Sequence, residues 1–132
     1  MTDAARVHFS ARPRAHADKV RVTERLISEI TRIRARFERA TRDGKDAFAG
    51  DGSDSYDIGM LAVIHLADLV NRQLPDDIAS AIPPVARDGL RATRNIAAHN
   101  YAGLDNARLW ETVTTHAPAL LDAIEAALRA QR

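Results

Sequence analysis

Apolar residues recur along this chain at helical spacing. Between about Val20 and Thr41, Leu26, Ile30, Ile33 and Phe37 follow one another at steps of four, three and four, with Arg, Glu, Thr and Ser between them. On a helix these positions form one apolar stripe, so an amphipathic helix is predicted there. The first 18 residues carry Pro13, scattered alanines, His8 and His16 but no sustained apolar period. They read as a flexible arm ahead of a domain spanning residues 19–132. Turn and cap residues crowd Asp43 to Asp46 and Gly50 to Ser55, which predicts a long connection with a short turn near Phe48 and an N-cap at Asp54 or Ser55.

From about Tyr56 to Leu74 the pattern changes. Ile58, Met60, Leu61, Val63, Ile64, Leu66, Leu69, Val70 and Leu74 lie nearly all round a helical wheel, so this helix should be buried on more than one side, as a central helix or a dimer face. Its polar exceptions, His65, Asp68 and Arg72, form a single stripe. Pro75 ends the helix, a helical turn around Asp76 to Ala81 follows, and Ile82-Pro83-Pro84 marks a boundary. A further helix opens at Val85 and runs to about His99, before Gly103. A last one is capped by Asp105 or Asn106 and carries Leu109, Trp110, Val113, Leu120, Leu121, Ile124 and Leu128, with Pro118 forcing a kink or break. Four or five helices with short connections predict an all-α antiparallel bundle.

Composition agrees with that reading. A chain of 132 residues, 45% apolar, 28% charged and only 5% aromatic, suits one folded helical domain. There are no cysteines, which removes disulfides, thiolate metal sites and thiol nucleophiles. No stretch has the length of a membrane span, and the N-terminus lacks a signal-peptide core, so the protein is expected in the cytoplasm where it is made. Net charge is +1, yet arginine is concentrated early, from Arg6 to Arg42. That distribution fits either a solvated helix face or a positive surface for a polyanion.

Candidate chemistry gathers in Arg94-Asn95-Ile96-Ala97-Ala98-His99-Asn100-Tyr101. With an advance of about 100° per residue, Asn95, His99 and Tyr101 fall about 100°, 140° and 340° from Arg94, one broad polar face. Arginine offers a planar cationic fork for phosphate, and histidine exchanges a proton near neutral pH. RNA carries its own nucleophile, the 2′-hydroxyl, so its cleavage needs proton transfer and charge stabilisation but no metal. No HExxH motif, carboxylate cluster, phosphate-binding glycine loop or Gly-x-Ser-x-Gly elbow is present, and neither metal nor cofactor is expected. Taken by spacing alone, His99 and Tyr101 fit equally a helix end that satisfies its own carbonyls. His65 reads first as a core histidine and second as backing for the active face, with Asp68 the stronger contributor. Trp110 reads as a core anchor, and His116 has no assigned role.

The stretch from Thr93 to Asp105, followed by Leu109-Trp110, closely resembles the Arg-x4-His-x-Tyr signature of HepT-like ribonuclease toxins of the HEPN superfamily. The likeness includes the Asn after the Arg, the Asp four residues past the Tyr, and the downstream Trp. Ala67-Asp68 is similar to the family's small-residue-plus-acid step, although the acid there is usually Glu, and Ile82-Pro83 resembles the loop before its signature helix. The resemblance covers roughly residues 20–130. It implies an endoribonuclease working as a homodimer, with Arg94 and His99 catalytic and Asn95 and Asp68 in support at the RNA phosphate. It further implies a type VII toxin–antitoxin pair, in which a minimal nucleotidyltransferase antitoxin of the MntA type silences the toxin by AMPylating Tyr101. Two other readings stand beside it: a non-catalytic HEPN module that presents a nucleotide or target to a nucleotidyltransferase, and a plain helical interaction protein.

Overall fold

The computed structural model describes residues 2–50, 52–99 and 106–131, with side chains described over 15–50, 52–95 and 106–131. Its first helix, α1, runs Thr2–Thr41 without interruption. Leu26, Ile30, Ile33 and Phe37 are all buried on it, joined by Thr23, Ile27 and Ala40, as the stripe predicts. The segment expected to be an arm is a departure, because residues 2–18 continue the same helix. That stretch is rich in Ala and Arg and contains no glycine, so helix propensity carries it where no apolar stripe exists. Residues 15–22 are exposed, and burial begins at Thr23.

A short helix, α2 (Gly44–Ala49), turns Phe48 fully into the core. The cap of α3 (Asp54–Asp68) is Ser53, one residue before the positions expected; its Oγ accepts the Tyr56 N–H at 3.2 Å, and Asp54 and Asp57 sit in the first turn where the helix end is positive. Gly52, at φ +67°, makes the turn into that cap. Met60, Ala62, Val63, Leu66 and Ala67 are buried between α1 and α5, which is why the wheel is apolar on more than one side. Leu61 is the exception and stands 55% exposed.

Past Asp68 the rod continues as a π-helical turn, Leu69–Gln73, before Pro75 stops it. Then follow α4 (Asp76–Ala79) and α5 (Pro84–His99). The last rod joins α6 (Asn106–Glu111), a second π turn (Thr112–His116) and α7 (Ala117–Ala130). Pro118 falls in the first turn of α7, where a missing N–H is tolerated, so the expected break takes the form of a widened turn upstream of it.

Cross-helix contacts give the directions. Glu29 meets His65 and Arg25 meets Gln73, so α3 runs antiparallel to α1. Arg34 meets Asp122 and Glu125, while Thr23 lies near Gln131, so α7 is antiparallel to α1 as well. The protein is all-α, a bundle of four long helical rods with two short helices, counted over the described residues. Phe48, Tyr56 and Trp110 knit α2, α3 and α6 at ring distances of 5.6 and 5.2 Å. Trp110 thus anchors the last rod to the core, as expected of it.

Candidate functional site

Helix α5 opens on Pro84, whose fixed φ suits the first helical position, and the Pro83 carbonyl accepts from the N–H groups of Ala86 and Arg87 at 3.0 and 3.2 Å. Only Leu90 is buried among residues 84–95. With that leucine turned inward, Arg91, Arg94 and Asn95 come together on the flank facing the end of α3.

There they close a pocket of about 170 Å³ with Ala67, Asp68, Asn71 and Arg72. Arg94 Nη1 donates to Asn95 Oδ1 at 3.4 Å, and Arg91 Nη2 donates to Asn71 Oδ1 at 3.3 Å. The Asn71 amide is fixed in turn by donating to the Ala67 carbonyl at 2.9 Å. Asp68 accepts from Gln73 Nε2 at 2.9 Å and lies 3.7 Å from Arg72 Nε. A residue five positions on stands well off the same face of an α-helix, and the wider π turn brings Gln73 back toward Asp68. Three guanidinium groups thus surround one carboxylate and two carboxamides. The positive excess and planar donors favour an anionic ligand such as phosphate.

Of the residues singled out from the sequence, Arg94, Asn95 and Asp68 share this pocket. His99 is the last residue of α5, but its side chain, and Asn100 to Asp105 with Tyr101 among them, lie outside the described residues. His65 does not join the pocket. Its Nε2 is 3.3 Å from Glu29 Oε2, and its Nδ1 is bonded to Arg36 of α1. The stripe His65, Asp68, Arg72 therefore divides, with His65 serving the α1 seam. Arg91 and Asn71 went unread in the sequence; Arg91 stands three before Arg94, and Asn71 three after Asp68, so helical spacing was the available signal.

The other flank of α5 borders an apolar groove of about 490 Å³, with Val85, Leu90, Ala117 and Leu120 in its walls. Val85 is 83% exposed, and Gly89 and Ala92 are exposed beside it. Among the described residues, no group of three or more His, Asp or Glu side chains is placed to hold a metal, and no helix is long and apolar enough to cross a membrane.

A family model described as ribonuclease HepT-like matches residues 62–127, from within α3 to within α7. The match is narrower than the likeness drawn from sequence and leaves α1 and α2 outside it. Neither curated proteins nor solved structures returned a match.

Proposed function

The chain belongs to the HepT-like ribonuclease family of the HEPN superfamily, and from that premise we propose that it is a metal-independent endoribonuclease toxin. The observation that carries this reading is the pocket in which Arg94 and Asn95 open beside Arg91 and Arg72, opposite Asp68. Arg94 holds the scissile phosphate, Asn95 orients it, and Asp68 offsets the mutual repulsion of the arginines gathered around it. His99, one helical turn beyond Asn95, moves the proton. The 2′-oxygen gives up its proton and attacks phosphorus, charge on the crowded phosphate is met by guanidinium, and the departing 5′-oxygen is protonated. The products are a 2′,3′-cyclic phosphate and a free 5′-hydroxyl.

The exposed Val85, Gly89 and Ala92 on α5 support a homodimer formed on the signature-helix side. Control falls to a minimal nucleotidyltransferase antitoxin that transfers AMP to Tyr101, in a type VII arrangement within the cytoplasm. Negative phosphates placed two residues past His99 would compete for the pocket's arginines and repel RNA.

The test is cleavage of RNA by purified, unmodified protein in EDTA. Native protein should cleave and arrest growth when expressed, and His99→Ala should abolish both while the dimer persists on sedimentation. Retained cleavage in His99→Ala would remove the assignment. Intact mass of protein co-expressed with the nucleotidyltransferase should show added AMP units that map to Tyr101.

A further inference from the structure

Beside the pocket, the exposed face of α1 carries arginines that the mechanism leaves unused. Arg25 Nη1 donates to Gln73 Oε1 at 3.3 Å, and Gln73 passes the contact on to Asp68 in the pocket wall. Arg25 is therefore separated from the pocket by a single side chain. Arg21 stands one turn earlier on the same face of α1, exposed and 2.8 Å from Asp18. An ion pair between two such exposed side chains contributes little and is readily exchanged for another anion. Around Arg21 α1 has left the core, since residues 15–22 are all exposed, whereas at Arg25 the other side of the helix packs inward through Leu26. The opposite side of this stretch, at His16, Lys19 and Thr23, borders Gln131 instead.

We propose that this face of α1 is a rail for single-stranded RNA, on which Arg25 and Arg21 hold the phosphates next to the one seated in the pocket. The identity of the polyanion rests on the ribonuclease reading; the rail itself rests on the path from Arg94, Arg91 and Arg72 at the pocket through Gln73 to Arg25 and Arg21, along which the arginines outnumber the acids Asp68 and Asp18. A pocket of about 170 Å³ encloses little more than one phosphate and its sugar edges. A longer strand leaving it meets either the apolar groove on the far flank of α5 or the arginines of α1, and the charge of its backbone selects the second. Gln73 then has a double task, steadying Asp68 with its amide N–H while its carbonyl oxygen aims Arg25 at the strand.

Binding is measured with a fluorescein-labelled twelve-residue oligouridylate on His99→Ala protein, and cleavage is measured separately with the same strand and with uridylyl-uridine on protein that keeps His99. For Arg21→Ala/Arg25→Ala the twelve-residue strand should bind roughly tenfold more weakly at low salt. The slope of log affinity against log salt should shrink by roughly 0.7 for each lost phosphate contact, about 1.4 for the pair. Arg25→Lys should recover most of the slope, and Arg129→Ala, on α7, should leave it intact. Cleavage of the dinucleotide, which has no phosphate beyond the scissile one, should be unchanged in the double variant. An unaltered slope in the double variant, or an equal loss on dinucleotide and long strand, overturns the rail. If native protein cleaves neither substrate while the double variant still loses its share of the slope, the ribonuclease reading fails and the rail stands.

Discussion

In the proposed reaction Arg94 is asked for charge and for shape at once, and the two are separable by substitution. Arg94→Lys keeps the charge but loses the planar fork, which donates to Asn95 and in the proposed reaction would also engage two phosphate oxygens. Arg94→Ala should lower kcat by roughly 10²- to 10³-fold, the scale for removing one donor to a developing oxyanion. Arg94→Lys should fall between that and native, with most of its deficit in kcat rather than KM. Equal activity of Lys and native protein in a single-turnover cleavage assay would mean that only charge is used. At this scale the sequence was legible where chemistry is dense along one helix, so Arg94, Asn95 and the polar break at Asp68 could be read directly. Arg91 and Asn71 were hidden because each is an ordinary surface residue on its own helix. Helical spacing puts each beside a residue that was read, Arg94 or Asp68, but their meeting comes from the two helical rods facing one another, which no local period reports.

Gly59 shows how tightly one element constrains another. A methyl group there would stand 2.9 Å from Phe48 Cε2 and 3.4 Å from Val113 Cγ1, and the Phe48 ring is held by Tyr56 and Trp110. Overpacking of this kind costs about 1–3 kcal/mol, partly offset by the better helix propensity of alanine. Gly59→Ala should therefore lower the urea midpoint at unchanged m, and should become nearly neutral or stabilising in a Phe48→Leu background. Ser53→Ala removes the cap of α3 and should cost about 1 kcal/mol in the same assay. Helix α5 and the short α4 were legible from proline punctuation and periodicity. The helical continuation through residues 2–18 was not, because propensity without an apolar stripe leaves no periodic trace. The π turns escaped for a different reason: an added residue in one turn changes the phase of a helix without changing its composition.

Across the whole molecule, α1 is tied to α7 by Arg34, which reaches Asp122 and, at 2.8 Å, Glu125; Glu125 also accepts from Arg129 at 2.9 Å. The bonds from Arg129 and Arg34 hold the Glu125 carboxyl below its ordinary 4.5, against the opposing effect of desolvation. A depressed native value means that the unfolded chain takes up the proton first. The contribution of this group is present above the ordinary carboxylate value and is lost as pH falls through it toward the native value. Thermal midpoints should therefore decline on the acid side, and Glu125→Gln should flatten that decline; an unchanged pH profile would assign it to other carboxylates. The bundle is firm where α1, α3 and α7 share buried residues and more thinly buried along residues 84–95 of α5, where Leu90 is buried and Ala86 packs against the core. Backbone amides of α5 should consequently exchange with deuterium through local opening, well before those in the buried stretches of α1 and α3. Bound RNA or a docked partner would raise the free energy of opening this helix and of global unfolding alike, while amides that exchange through local openings away from the site would not change, so an isotope-exchange map could report occupancy of the site without any turnover.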